Sequence, residues 1–390
     1  MRGNANRFGH PAEALRDAEG KDEVGWIRDG DSLAATLASL GEGPLALDTE
    51  ADSFHHYPEK ICLIQISMGS GTSLIDPLAG VELTALGAVL EDPGVPTVLH
   101  GADYDLRLLR RDHGLQIRSL FDTMIAARLT GETRFGLASL LESHLDVRLD
   151  KRFQRADWSR RPLPREMIEY AASDTRHLLE LQSILERRLL ALGRLEWAEE
   201  EFRRLESVQW SAAVRDPEAF RRTKGSSRLD GRALAVLREV WGWRDETARR
   251  RDRPPFRVMG DATLVALAVE RPESREALAR VPGFPRPLVA GKAWREILSR
   301  IGRATAEPAE AWPEVRAARP VTDDPAQRKR YRELRRGCDA VATELGLEPS
   351  LVASRAVLEG IATKEAGGED WKAVPELRAW QIRLLEAVVG

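Results

Sequence analysis

The clearest strand in the chain is Ile61-Cys-Leu-Ile-Gln-Ile-Ser-Met68, and its surroundings narrow the fold. Leu45-Ala-Leu47 precedes it, and Thr72-Ser-Leu-Ile75 follows, ending at Asp76-Pro77. Each run is bounded by Gly, Pro or acidic turn residues, as strands are. Val81 to Leu90 reads as a helix. Thr97-Val-Leu99 reads as a strand feeding a helix from about Asp103 to Asp112, broken by Gly114. From Leu120 onward helical patterns dominate, the longest running from about Pro164 to Leu192. Strands first, then alternation, then helices predict a mixed sheet flanked by helices, an α/β domain over residues 24–200.

Ahead of that domain, residues 1–23 are polar, with Gly3, Gly9, Pro11 and Gly20, and read as a flexible lead-in. Beyond it, Leu229 to Arg250 is helical, with Leu234, Leu237, Val240 and Trp241 on one stripe. Leu264, Leu267, Leu278 and Val281 follow, before a turn at Pro282-Gly283-Phe284. This second unit is expected over residues 226–303, a Pro- and Ala-rich linker over 304–325, and a last helical unit over 326–390. Both C-terminal units carry an Arg-rich first helix, a Leu-rich middle and a closing amphipathic helix, the pattern of a diverged repeat.

Composition excludes several classes. The formal charge is −3, from 59 basic and 62 acidic side chains, so any nucleic-acid surface must be local. Cys62 and Cys338 are the only cysteines, which argues against a disulfide framework or a Cys-ligated zinc and suits a reducing cytoplasm. No stretch has the length needed to cross a bilayer, and the first residues lack the apolar core of a signal peptide. A soluble cytoplasmic protein, with no membrane partner and a monomer as the default state, is expected.

Four acids and a tyrosine carry the chemistry. Asp48 and Glu50 end the run Leu45-Ala-Leu-Asp-Thr-Glu50, and i, i+2 spacing in an extended chain puts both carboxylates on one face. Asp105 falls five residues after His100 at a strand-to-helix junction, with Asp103 as a competing choice. An acid at such a junction also suits a helix cap. Tyr170 and Asp174 are four apart on a helix and share a face. Gathered carboxylates repel one another unless a cation sits between them, and two-metal phosphodiester hydrolysis needs such a cluster.

The order Asp-x-Glu, His-x4-Asp, Tyr-x3-Asp resembles the DEDDy branch of the 3′-5′ exonuclease superfamily, most closely the ribonuclease D family. His100-Gly-Ala-Asp-Tyr-Asp-Leu-Arg-Leu-Leu109 is similar to the family's second exonuclease motif, which assigns the acid to Asp105. Phe121-Asp-Thr123, Gly136-Leu-Ala-Ser-Leu140 and Lys151-Arg-Phe-Gln-Arg-Ala-Asp-Trp-Ser-Arg-Arg-Pro-Leu163 resemble further family segments. The two C-terminal units resemble HRDC domains, the first more closely than the second.

The resemblance implies a ribonuclease H-like exonuclease domain with two divalent ions, Mg²⁺ or Mn²⁺, about 3.5–4 Å apart. Asp48, Glu50 and Asp174 would hold one ion, Asp48 and Asp105 the other, while Tyr170 would orient the attacking water. The activity implied is removal of nucleoside 5′-monophosphates from RNA 3′ ends, with tRNA precursors the expected substrate. Phe54, His55, His100, Lys151, Gln154 and Trp158 are candidate RNA contacts, together with Arg161 and the basic runs Arg249–Arg253 and Arg328–Arg332. Two other readings stay open, a 3′-5′ DNA exonuclease and an inert RNA-binding scaffold.

Overall fold

A seven-stranded mixed sheet positions the acids. Its strands are β1 (Glu13–Arg16), β2 (Glu23–Ile27), β3 (Leu45–Ala51), β4 (Ile61–Met68), β5 (Gly71–Ile75), β6 (Thr97–Leu99) and β7 (Leu120–Asp122). The order across the sheet is β1-β2-β5-β4-β3-β6-β7. β3 runs antiparallel to β4 and parallel to β6, and β2 is parallel to β5. The computed structural model describes residues 13–16, 23–39, 43–69, 71–208, 216–315 and 324–390, for 13–16 and 23 the backbone only. Most of the expected lead-in 1–23 and residues 316–323 of the expected linker lie outside them.

Eight helices accompany the sheet among the described residues: α1 (Gly30–Ala38), α2 (Thr84–Leu90), α3 (Asp103–His113), α4 (Thr123–Leu129), α5 (Leu137–Leu145), α6 (Arg165–Arg176), α7 (Leu178–Ala191) and α8 (Leu195–Glu206). Gly114, at φ +71, ends α3 in the left-handed conformation that glycine adopts without strain. The helix expected from Pro164 to Leu192 is in fact two, interrupted at His177. No Gly or Pro marks the break. Tertiary packing makes it, since α6 covers β3, β4 and β5 whereas α7 packs on α4, α5 and β6.

Alternation along the strands divides the core in two. β4 sends Ile64 and Ile66 into the larger cluster with Leu45 and Leu47. Leu63 faces the other way, into a smaller cluster with Leu74, Trp158, Met167 and Tyr170 under α6. Asp48 and Glu50 emerge on that second face.

Helices Pro325–Leu345, Pro349–Val352, Arg355–Ala366 and Ala379–Val389 belong to the same compact unit as the sheet. Trp380 is 1% exposed within the larger core, stacked on Trp197 with centroids 4.9 Å apart. Arg194 is buried and donates to the carbonyls of Leu129 (2.8 Å) and Leu345 (2.6 Å).

The second compact unit comprises residues 53–59 and 211–321. Its long helix α9 (Gly231–Arg251) buries Leu234, Leu237, Val240 and Trp243 against Leu264, Leu267, Leu278 and Ile297. Tyr57 donates its hydroxyl hydrogen to the buried Asp245 at 2.5 Å, and Arg249 lies over the Tyr57 ring. In this unit a 21-residue helix is followed by helices of four, ten, six, five and 14 residues; residues 325–389 repeat the 21-residue and four-residue start and continue with helices of 12 and 11 residues, without counterparts of the six- and five-residue pair. No helix among the described residues is long and apolar enough to cross a membrane.

Candidate active site

Asp48 and Glu50 leave β3 on the face covered by α6, and Asp174 descends from α6 to meet them. Each of the three offers one carboxylate oxygen, and these oxygens lie within 4.8 Å of one another. Asp105 enters from the first turn of α3, close enough for its charge to act on Asp48. Thr49, between the two β3 acids, donates its hydroxyl hydrogen to the Asp105 carboxylate. Tyr170, one turn before Asp174, packs its ring against Phe153 and Trp158 and lines the same cleft of about 350 Å³.

The electrostatics follow from that crowding. Burial, then the charges of Asp105 and Asp174, push Asp48 well above the usual carboxylate range. Burial and then Asp48 do the same to Glu50. Burial lifts Asp105 to about 6, opposed by the Thr49 hydroxyl, and lifts Asp174 to about 7, opposed by the Tyr170 hydroxyl. Burial and the neighbouring carboxylates raise the Tyr170 phenol, which therefore keeps its hydrogen as a donor. Oxygen-only donors that repel one another suit a hard divalent cation, and the residues fit one.

Asp103 takes no part in this cluster and does not cap α3. It is exposed and forks onto Arg107 through two bonds of 2.9 Å. The amides of Gly101 and Ala102, at the entrance to α3, instead donate to Asp122 at 3.1 and 2.8 Å. Asp122 also caps α4, accepting from Met124 and Ile125. The signal for Asp122 was in the sequence, as an acid between an apolar strand and a helix.

Lys151 and Gln154 line the cleft with His100, alongside Gly136, Ser139 and Asp150, which the sequence reading passed over. The Thr123 hydroxyl donates to the Leu99 carbonyl (3.0 Å), so at the 2.9 Å contact with His100 it accepts, which places the imidazole hydrogen on Nδ1. Trp158 does not line the cleft. It is 1% exposed and supports the Tyr170 ring. Arg161 turns inward, its guanidinium held by Asp76 and three backbone carbonyls. Phe54 and His55 lie in the second compact unit, where Phe54 meets the Phe256 ring edge to face at 6.4 Å.

A mixed sheet presenting clustered acids beside a tyrosine defines a 3′-5′ exonuclease. The 3′-5′ exonuclease family model matches residues 24–190, and the HRDC domain model matches residues 233–301. Ribonuclease D of Pseudomonas paraeruginosa is 33% identical over 362 residues, spanning 92% of this chain and 94% of that protein. Ribonuclease D of Gluconacetobacter diazotrophicus is 31% identical over 365 residues, with 90% and 88% spanned. The crystal structure of Escherichia coli RNase D, described as an exoribonuclease involved in structured RNA processing, superposes with a TM-score of 0.74 at 28% identity, over 93% of this chain and 96% of that one. The chain belongs to the ribonuclease D family, and its activity is that of a 3′-5′ exoribonuclease.

Proposed function

We propose that the chain trims structured RNA 3′ ends, transfer RNA precursors first among them, releasing nucleoside 5′-monophosphates at a site of Asp48, Glu50, Asp105, Tyr170 and Asp174. The observation that carries this is the convergence of the Asp48, Glu50 and Asp174 oxygens within 4.8 Å, with Asp105 beside Asp48. Asp48, Glu50 and Asp174 would hold one divalent ion and Asp48 and Asp105 a second, Mg²⁺ or Mn²⁺. Bound ions supply the charge that activates water and stabilises the leaving 3′-oxygen. Tyr170, held neutral, hydrogen-bonds the water and aims it in line with the scissile bond. Lys151 contacts the phosphate backbone as a point charge, while Gln154 and His100 contact the terminal nucleotide.

Residues 24–200 are the exonuclease domain and 226–303 the HRDC domain in this reading. Residues 326–390 form a second HRDC-like domain beyond the 304–325 linker, which the shared start of a 21-residue helix and a four-residue helix supports. The basic runs Arg250–Arg253 and Arg328–Arg332 bind RNA phosphates, while Arg249 is held by Asp245 and the Tyr57 ring. The protein works as a monomer in the cytoplasm, a reducing setting that suits two free, buried cysteines.

The test incubates pure protein with 3′-labelled RNA and matched DNA, each with Mg²⁺, Mn²⁺ or EDTA. Loss of the label as 5′-monophosphate from RNA, abolished by EDTA, is expected. Equal or faster loss from DNA moves the substrate class to DNA, and no loss from either leaves the inert scaffold.

A further inference from the structure

Beside Asp48 the sheet buries a polar side chain that has no part in the proposed chemistry. Gln65 on β4 stands directly opposite Asp48 on β3 in antiparallel register. Directly opposed side chains leave a sheet on the same face, so the amide lies beside the Asp48 carboxylate under α6. Gln65 is 0% exposed, and neither its Oε1 nor its Nε2 finds a partner in the protein. Burying an amide unpaired is costly, so a partner is expected.

The neighbours limit the partners open to the amide. Along β4 on that face stand Leu63, which is apolar, and Ser67. Ser67 is already satisfied by Thr72 (2.8 Å) and Thr175 (2.7 Å). Across β5 stands Leu74, again apolar. The polar groups left on this face are the carboxylates and the Trp158 indole N–H, and of these only the carboxylates offer acceptors to the amide's two N–H donors. A residue serving packing alone here would be apolar, as Leu63 and Leu74 are.

We infer that Gln65 is a positioning residue for Asp48: through a bridging water its amide fixes the rotation of the carboxylate, so that both Asp48 oxygens face the ion site. Water bridging of this kind satisfies buried polar groups that have no protein partner. The inference rests on the proposed site and names a member of it beyond the acids and Tyr170. Groups that orient a metal-ligating side chain change metal affinity or turnover by about 10–100-fold when lost.

The test is Gln65→Met, which keeps length and shape and deletes both polar atoms. Without metal, its thermal midpoint should stay close to that of the parent protein, because the replacement fills the same volume and leaves no buried polar atom in want of a partner. On a short 3′-labelled RNA, kcat should fall about 10–100-fold while KM holds, and the Mn²⁺ concentration needed to raise the thermal midpoint should increase by a similar factor. The Mn²⁺ measurement needs no substrate and no turnover. Unchanged kcat with unchanged Mn²⁺ affinity would overturn the inference and leave Gln65 as core filling. If Gln65→Met does not fold, Gln65→Asn decides, since its amide is one methylene too short: weakened Mn²⁺ binding supports the role, and binding equal to the parent overturns it. An inactive parent protein on RNA would instead fail the exoribonuclease reading itself.

Discussion

The guanidinium of Arg161 closes a two-bond fork on the Asp76 carboxylate, at 2.8 and 2.6 Å, with Asp76 only 1% exposed. Its remaining donors reach the carbonyls of Trp158, Arg160 and Cys62. Arg161 therefore ties the segment carrying Lys151, Gln154 and Trp158 to β4 and to the end of β5. Arg161→Ala would strand a buried carboxylate, a loss of about 3–5 kcal/mol. Chemical denaturation should show that loss, and turnover should fall as the cleft wall loosens. Arg161→Lys cannot make the fork and should fall between. Undiminished stability with a raised KM would return Arg161 to the role of a phosphate grip.

Asp105 and Asp103 separate by environment. Asp105→Asn removes a charge from the acid cluster and should abolish hydrolysis. Asp103→Ala breaks an exposed i,i+4 pair, a loss of roughly 0.3–0.5 kcal/mol, and should retain turnover. Steady-state rates and denaturation midpoints of the two variants check both halves. An active Asp105→Asn beside an inactive Asp103→Ala would reverse the assignment.

What the sequence disclosed and what it hid differ in range. Asp48 and Glu50 were legible because a short apolar run delivers them and i, i+2 spacing sets their common face. Asp174 and Tyr170 were legible through helical spacing. The break at His177 was not, because no Gly or Pro produces it and only the divergent packing of α6 and α7 does. Trp158 and Arg161 resembled RNA contacts in a basic, aromatic segment, yet both turn inward, onto Tyr170 and Asp76. Gln65 was visible as an amide inside an apolar strand, but its meaning depends on the register that sets it against Asp48.

Tyr170→Phe isolates the hydroxyl. The ring keeps its contacts with Trp158 and Phe153, whose centroids lie 5.9 and 5.8 Å away, so stability should hold. Turnover on short RNA should fall by about 10²–10⁴-fold with little change in KM. Unaltered turnover would make Tyr170 a core residue only.

Proton uptake by the acid cluster gives a signed pH dependence. Burial pushes the Asp174 carboxyl up to about 7 and that of Asp105 up to about 6, from an ordinary value of 3.8. The folded state thus binds more protons than the unfolded one across that window. Without divalent ions, the stabilisation is full below about pH 4 and is lost as pH rises through the folded values. A bound cation relieves the repulsion, so Mg²⁺ should raise the thermal midpoint more at pH 8 than at pH 5, with proton release on binding. Asp174→Asn should abolish hydrolysis, raise the metal-free midpoint at pH 8 and shrink the Mg²⁺ response. A midpoint that climbs with pH in EDTA would contradict the crowded-carboxylate picture.

The stack of Trp380 on Trp197 makes residues 324–390 part of the structure that holds the acids, not an appendage to it. The rings are 12° from parallel, and Arg378 pairs with Glu201 at 3.0 Å beside them. Trp380→Ala removes a fully buried ring from the larger core and should cost about 3–5 kcal/mol. Deleting residues 324–390 should go further, lowering the thermal midpoint and turnover even on oligonucleotides too short to reach the C-terminal helices. Neutralising Arg328 and Arg332 acts differently. It leaves the stack intact and should reduce affinity for folded RNA, with a shallower salt dependence as phosphate contacts are lost. Thermal melts and salt titrations of the two kinds of variant separate support from grip. A deletion that melts like the full chain, and trims short RNA at its rate, would show that the stack contributes nothing to the fold of the site.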